Sequence, residues 1–170
     1  MKYLVVVDIQ NDFVDGSLGT KEAQGIVLRV VEKIKGFDGQ VIVTYDTHSK
    51  DYLSTQEGTK LPVEHCIEGT HGWELNSEVA GVLPEDAIYI KKRAMGSVEL
   101  PEMIRACGTP ESIEFVGLCT DACVISNALI CKANFIEIPI MVDADCCAGV
   151  TVEGHDAAIK TMQMCQVSIQ

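Results

Sequence analysis

Short runs of β-branched and apolar residues, hydrophobic at consecutive positions rather than alternate ones, constrain this chain most. Residues 4–7, 41–45, 87–90, 113–118 and 136–142 are such runs. A strand that is apolar on both sides must be covered on both faces, which is the signature of a parallel sheet between layers of helix. The intervening segments have helical spacing. Ile26, Val27, Val30, Val31 and Ile34 recur on one face and Gly36 ends the pattern, and similar stretches lie at 100–106, 121–132 and 152–164. The expectation is an α/β fold: a single-domain three-layer sandwich, with a central parallel sheet flanked by helices, spanning residues 1–170. A chain of 170 residues is long enough to bury a sizeable core within one domain.

In sheets of this kind ligands bind beyond the carboxyl ends of the strands. That rule gathers Asp8 after the first run, Asp46 and His48 after the second, Lys91 and Lys92 after the third, residues 117–123 after the fourth and Asp143 after the fifth. The one long irregular stretch, 47–73, holds three of the four histidines. Long loops in compact domains are usually functional or disordered.

The net charge of −12 and pI near 4.6 narrow the partners. A field of that sign repels nucleic acid and anionic membranes, so a neutral small molecule suits the chain better. No apolar run approaches the roughly 20 residues needed to span a bilayer. The N-terminal apolar run meets Asp8 and Gln10 without a small-residue cleavage site, so no signal peptide is expected. The eight cysteines lack paired C-x-x-C spacing. They read as reduced thiols, mostly small core residues, in a cytoplasmic protein.

For any one cysteine the default is therefore a buried, inert thiol. Cys123 departs from it. Thr120 and Asp121 are good N-cap residues for a helix beginning near Cys123, and a thiol in a first helical turn faces free N–H groups and the positive end of the dipole. Both favour thiolate. Cys119 is the rival, in the strand-end loop. Asp8 could accept the thiol proton and later return it to a leaving amine. Strand alternation sends Lys91 and Lys92 to opposite sides, so only one can join the site. Asp46 and His48, with Glu57 and His65 in the same loop, form a borderline donor set for Zn²⁺, Fe²⁺ or Mn²⁺. The alternative is four ordinary polar loop residues. His71 and His155 read as surface or supporting histidines.

Taken together, four stretches resemble the nicotinamidase and isochorismatase-like cysteine hydrolases. Val6-Val7-Asp8-Ile9-Gln10-Asn11-Asp12-Phe13 is similar to the family's first-strand signature. Val43-Thr44-Tyr45-Asp46-Thr47-His48, with Glu57-Gly58, Leu61-Pro62 and His65-Cys66, resembles the metal loop of nicotinamidases. Lys92-Arg93-Ala94-Met95-Gly96-Ser97 resembles the lysine motif, and residues 117–124 the nucleophile motif. The resemblance implies the isochorismatase-like hydrolase fold, with Asp8, Lys92 and Cys123 as catalytic residues. It implies a cis peptide between Leu118 and Cys119, an oxyanion hole from the Cys119 and Cys123 N–H groups, and Phe13 stacking on a substrate ring. Asp46, His48, Glu57 and His65 would hold one divalent metal, zinc in first place and iron or manganese as alternatives. The implied activity converts nicotinamide, or a similar small aromatic carboxamide, to the acid and ammonia through a cysteine thioester, in a chain that can form a homo-oligomer. Met95 stands where an aromatic is usual and Leu61 where many nicotinamidases have tryptophan. The rivals are an isochorismatase-type hydrolase, which needs neither cysteine nor metal, an N-carbamoyl amidase, and a binding module without chemistry.

Overall fold

A computed structural model describes all 170 residues. Six parallel strands form one sheet in the order β3-β2-β1-β4-β5-β6. They are β1 (Lys2–Val7), β2 (Gln40–Asp46), β3 (Ile88–Lys92), β4 (Ser112–Leu118), β5 (Ile140–Ala148) and β6 (Ser168–Ile169). The helices are α1 (Asn11–Val14), α2 (Lys21–Gly36), α3 (Gln56–Lys60), α4 (Ser77–Ala80), α5 (Leu100–Cys107), α6 (Ile125–Asn134) and α7 (Val152–Met164). None is long and apolar enough to cross a membrane.

Period-2 alternation along β1 explains the three layers. Leu4 and Val6 face one layer with Ala23, Ile26, Val27, Val30, Val31 and Ile34 of α2. Tyr3, Val5 and Val7 face the other, with Leu100 and Ile104 of α5, Ala128 and Cys131 of α6 and Met162 of α7. Every residue from Tyr3 to Val7 is fully buried. Each such large apolar side chain contributes about 1.5–3 kcal/mol through burial, which makes β1 the spine of the fold. The strand order reverses direction between β1 and β4, so the switch point of the sheet lies where Asp8 and the residues after Leu118 emerge. Gly117 allows these strands to meet closely there. Its φ is +121°, and a Cβ at that position would lie 2.1 Å from the Val7 carbonyl oxygen.

The sequence expectation is corrected at β5. The strand runs from 140 to 148, so Asp143 is not at the rim but inside the strand, where Lys33 Nζ of α2 binds its Oδ2 at 2.5 Å and Glu114 Oε1 at 2.7 Å. Polar Asp143 and Asp145 lie in a strand whose outer neighbour, β6, has only two residues, so no second apolar face is required. The loop 47–73 is partly ordered into a 3₁₀ turn, Tyr52–Ser54, and α3.

Candidate active site

The carboxyl ends of β1, β2, β3 and β4 carry Asp8, Asp46, Lys92 and Cys123 into one buried centre. Asp8 directly follows β1 and adopts a left-handed φ of +47°. Thr44 of β2 donates its hydroxyl to Asp8 Oδ1 at 2.6 Å, and Lys92 Nζ lies 2.6 Å from Asp8 Oδ2. The same ammonium reaches Cys123 Sγ at 3.4 Å, the Ala94 carbonyl at 3.0 Å and Asp46 Oδ1 at 3.5 Å. Asp8 is 0% exposed, and Lys92 and Cys123 are each 4% exposed. Lys91 points the other way, to Glu68 and over Trp73, as strand alternation requires.

Electrostatics follow from this burial. Desolvation pushes the Asp8 carboxyl up, against the pull of Lys92. Burial by itself would lower Lys92, but Asp8, Cys123 and Asp46 reverse the effect and hold it firmly protonated. The Cys123 thiol is pushed well above its ordinary value by burial first and by the Asp8 charge second, with Lys92 opposing. The expectation that a helix start and a lysine would favour thiolate meets an opposing effect, because burial and the Asp8 charge push the Cys123 thiol the other way. The cap is corrected too. Residues Thr120–Val124 form a π-type turn whose N-cap is Cys119, without a side-chain cap bond. Thr120 instead pairs with His155 Nδ1 at 2.8 Å, and Asp121 accepts from the Val150 N–H at 3.0 Å. Single π-type turns inside helices recur at functional sites.

The Leu118–Cys119 peptide is cis, as the resemblance implied. The Cys119 carbonyl accepts the N–H groups of Ala122 and Val124 but not that of Cys123, and the Cys119 N–H donates to no protein acceptor.

Beside this centre, Asp46, His48, Glu57 and His65 bring their donor atoms within 4.8 Å of one another. Asp46 Oδ2 is 3.0 Å from His48 Nε2 and 3.4 Å from His65 Nε2; Glu57 Oε1 is 3.6 Å and 3.8 Å from the same nitrogens. His65 Nδ1 lies 2.8 Å from the Val63 carbonyl. Donation there turns Nε2 towards the cluster, the usual support for a metal-bound imidazole. Burial works against the Asp46 charge, yet hydrogen bonds from His48 and His65 and the charge of Lys92 hold its carboxyl far below the usual range. Two imidazoles with two carboxylates fit a borderline divalent cation.

A cleft of ≈ 610 Å³ opens over both groups, lined by Phe13, Leu18, Leu61, Met95, Ala122 and Val150 together with Asp46, Glu57, His65, Cys119 and Cys123. Phe13 packs on His65 with ring centroids 5.5 Å apart. The residues implied by the resemblance therefore meet at this cleft or directly behind it, whereas Lys91 and Asp143 lie away from it. His71 is exposed at the surface. Sequence reasoning missed Thr44, which holds Asp8, and Gln10, whose side chain brackets the Asp46 backbone through its N–H and its carbonyl. Thr44 lies two residues before Asp46 and Gln10 two residues after Asp8, and that nearness was the available signal.

The family model described as the isochorismatase domain matches residues 2–170. A nicotinamidase/pyrazinamidase from Mycobacterium tuberculosis is 24% identical over 99% of this chain and 98% of its own length. The crystal structure of a pyrazinamidase of Pyrococcus horikoshii in complex with zinc is 27% identical, with a TM-score of 0.87 over 99% of this chain and 98% of that one. An N-carbamoylsarcosine amidase from Thermoplasma acidophilum shares the fold, with a TM-score of 0.77 at 24% identity over 100% of this chain and 96% of that one.

Proposed function

Because the chain belongs to the isochorismatase domain family, we propose that it is a cysteine amidohydrolase that converts nicotinamide, or a similar small aromatic carboxamide, to the acid and ammonia, with residues 1–170 acting as one domain. The observation that carries this reading is the contact of Lys92 Nζ with both Asp8 Oδ2 at 2.6 Å and Cys123 Sγ at 3.4 Å at the floor of an apolar cleft. The names of the two relatives above support the substrate class.

In the proposed reaction Asp8, its basicity raised by burial, takes the Cys123 proton as the sulfur attacks the amide carbon. The oxyanion meets the Cys119 and Cys123 N–H groups, a type of contact worth about 3–4 kcal/mol each. Asp8 then returns its proton to the departing ammonia, leaving a thioester. A water deprotonated by Asp8 attacks the thioester, and the acid leaves with the thiol restored. Lys92 stays charged throughout and offsets the anion passing between Asp8 and Cys123. Phe13 packs against the ring. Asp46, His48, Glu57 and His65 would hold a divalent cation, zinc first, which supplies a Lewis-acid contact for the ring nitrogen when bound. No arginine or lysine lines the cleft, and Lys92 behind it is already paired. A substrate bearing a free carboxylate, such as an N-carbamoyl amino acid, finds no cationic side chain there.

The test is ammonia release from nicotinamide and pyrazinamide, with and without a chelator, in the wild type and in Cys123→Ala. Release that needs Cys123 and falls on chelation supports the proposal. Release that survives Cys123→Ala overturns the mechanism, and release only from N-carbamoyl compounds overturns the substrate.

A further inference from the structure

A buried asparagine joins the lysine and nucleophile halves of the candidate site. Asn127 lies on α6, four residues after Cys123, and is 0% exposed. Its Nδ2 donates to the Cys123 carbonyl at 2.8 Å and to the Met95 carbonyl at 3.2 Å, while its Oδ1 accepts the Ser97 N–H at 2.9 Å. Both donors and the acceptor of the amide are thus engaged, and they engage two segments distant in sequence.

The segment on the other side of these bonds depends on them. Residues 93–98 make no hydrogen bond from main chain to main chain. Their polar tethers to the rest of the protein are the Lys92 ammonium on the Ala94 carbonyl and the two Asn127 bonds. Gly96 presses the same segment onto α6, where an added Cβ would lie 2.5 Å from Ile130 Cδ1. The segment carries Met95, which lines the cleft with its Sδ 4.0 Å from Cys123 Sγ. It begins directly after Lys92, so its position also bears on the ammonium.

We propose that Asn127 is a positioning residue that clamps residues 93–97 to the nucleophile turn, and thereby fixes the Lys92 ammonium and the Met95 wall against the Cys123 sulfur. The functional part rests on the reading of Cys123 as the nucleophile; the clamp itself does not. A displacement of about 1 Å in such a constellation can cost on the order of 100-fold in rate. An asparagine that merely satisfied buried main-chain groups would lower stability and leave the folded enzyme unaltered.

Two variants separate these roles. Asn127→Ala removes all three bonds, and Asn127→Asp keeps an acceptor for the Ser97 N–H but loses both donors. Per folded molecule, with the folded fraction measured by urea titration, kcat for nicotinamide should fall about tenfold or more in each, with a smaller change in KM. Alkylation of Cys123 by iodoacetamide should become faster as the Met95 wall loosens. The Ser97 amide should exchange slowly in the wild type and in Asn127→Asp, and rapidly in Asn127→Ala. If kcat and the alkylation rate per folded molecule match the wild type in Asn127→Ala, the proposal is overturned. It is overturned equally, without any variant, if the wild-type Ser97 amide exchanges at the rate of an unprotected chain. Failure of the wild type to hydrolyse nicotinamide would defeat the substrate reading alone, because alkylation and amide exchange still decide the clamp.

Discussion

Lys92 Nζ lies 3.5 Å from Asp46 Oδ1, while Oδ2 of the same carboxylate lies 3.0 Å from His48 Nε2. One carboxylate therefore borders both the Asp8–Lys92–Cys123 centre and the candidate metal group. The geometry arises from neighbouring strand ends: Asp46 and Lys92 are paired in register as the last residues of β2 and β3. A bound cation and the Lys92 ammonium would share one buried anion, so a change at Asp46 reaches both groups.

The first prediction concerns this shared carboxylate. Asp46→Asn should lose bound divalent metal, measured by elemental analysis after dialysis, while the wild type retains about one ion per chain. Zinc added at 100 times its dissociation constant should stabilise the wild type by about 2.7 kcal/mol and leave the variant unmoved. An equal rise in melting temperature for both proteins would exclude Asp46 as a ligand.

The second concerns the Asp8–Lys92 pair, both members of which are buried. Removing one partner of a buried pair leaves an uncompensated charge and costs about 3–5 kcal/mol. Lys92→Met should lower the unfolding free energy measured in urea by that amount, and adding Asp8→Asn should restore part of it. A double variant no more stable than Lys92→Met would show that the two groups are not coupled.

The spine of the fold was legible because β1, β2 and β4 are apolar on both faces, a pattern that only a sheet covered on two sides explains. The strand-end rule gathered Asp8, a lysine and a cysteine at one rim, while the choice of Lys92 over Lys91 and of Cys123 over Cys119 came from the family resemblance. What escaped had no period to reveal it. β6 is two residues long, the polar half of β5 reads as a loop, and Thr44, Gln10 and Asn127 are buried polar residues, each with a partner far away in sequence. Asn127 left one trace, its spacing of four from Cys123, which places both on one face of a helix. The direction of the Cys123 shift was misread because sequence shows a helix start and a lysine but not the desolvation that outweighs them.

The third prediction is an alkaline loss of stability. Cys131 is 0% exposed and Cys146 4% exposed; burial first raises each thiol to about 12, with Arg105 opposing at Cys131 and Asp143 adding at Cys146. In the unfolded chain these thiols titrate near about 8.5. Between those values the folded state binds more protons, so stability is full below pH ~8.5 and falls as pH rises towards about 12, by up to about 1.4 kcal/mol per pH unit for each thiol. Urea midpoints measured from pH 7 to 10 should be level at first and then decline, and Cys131→Ala should flatten the decline. A midpoint constant to pH 10 would show that these thiols titrate normally in the fold.

The fourth follows from the contact of β1 with β4 beneath the site. Gly117 has φ +121°, and a methyl group there would meet the Val7 carbonyl oxygen at 2.1 Å. An L-residue is strained at that φ in any case. Both strands are central and buried from their second residue onward, so neither can move aside without disturbing the core on both faces. Gly117→Ala should therefore cost about 3 kcal/mol or more in urea unfolding. It should also reduce turnover by more than the loss of folded protein, because Val7 directly precedes Asp8 and its displacement carries the carboxylate away from Thr44 and Lys92. Wild-type stability in Gly117→Ala would refute the close approach, and wild-type turnover per folded molecule would refute its link to Asp8.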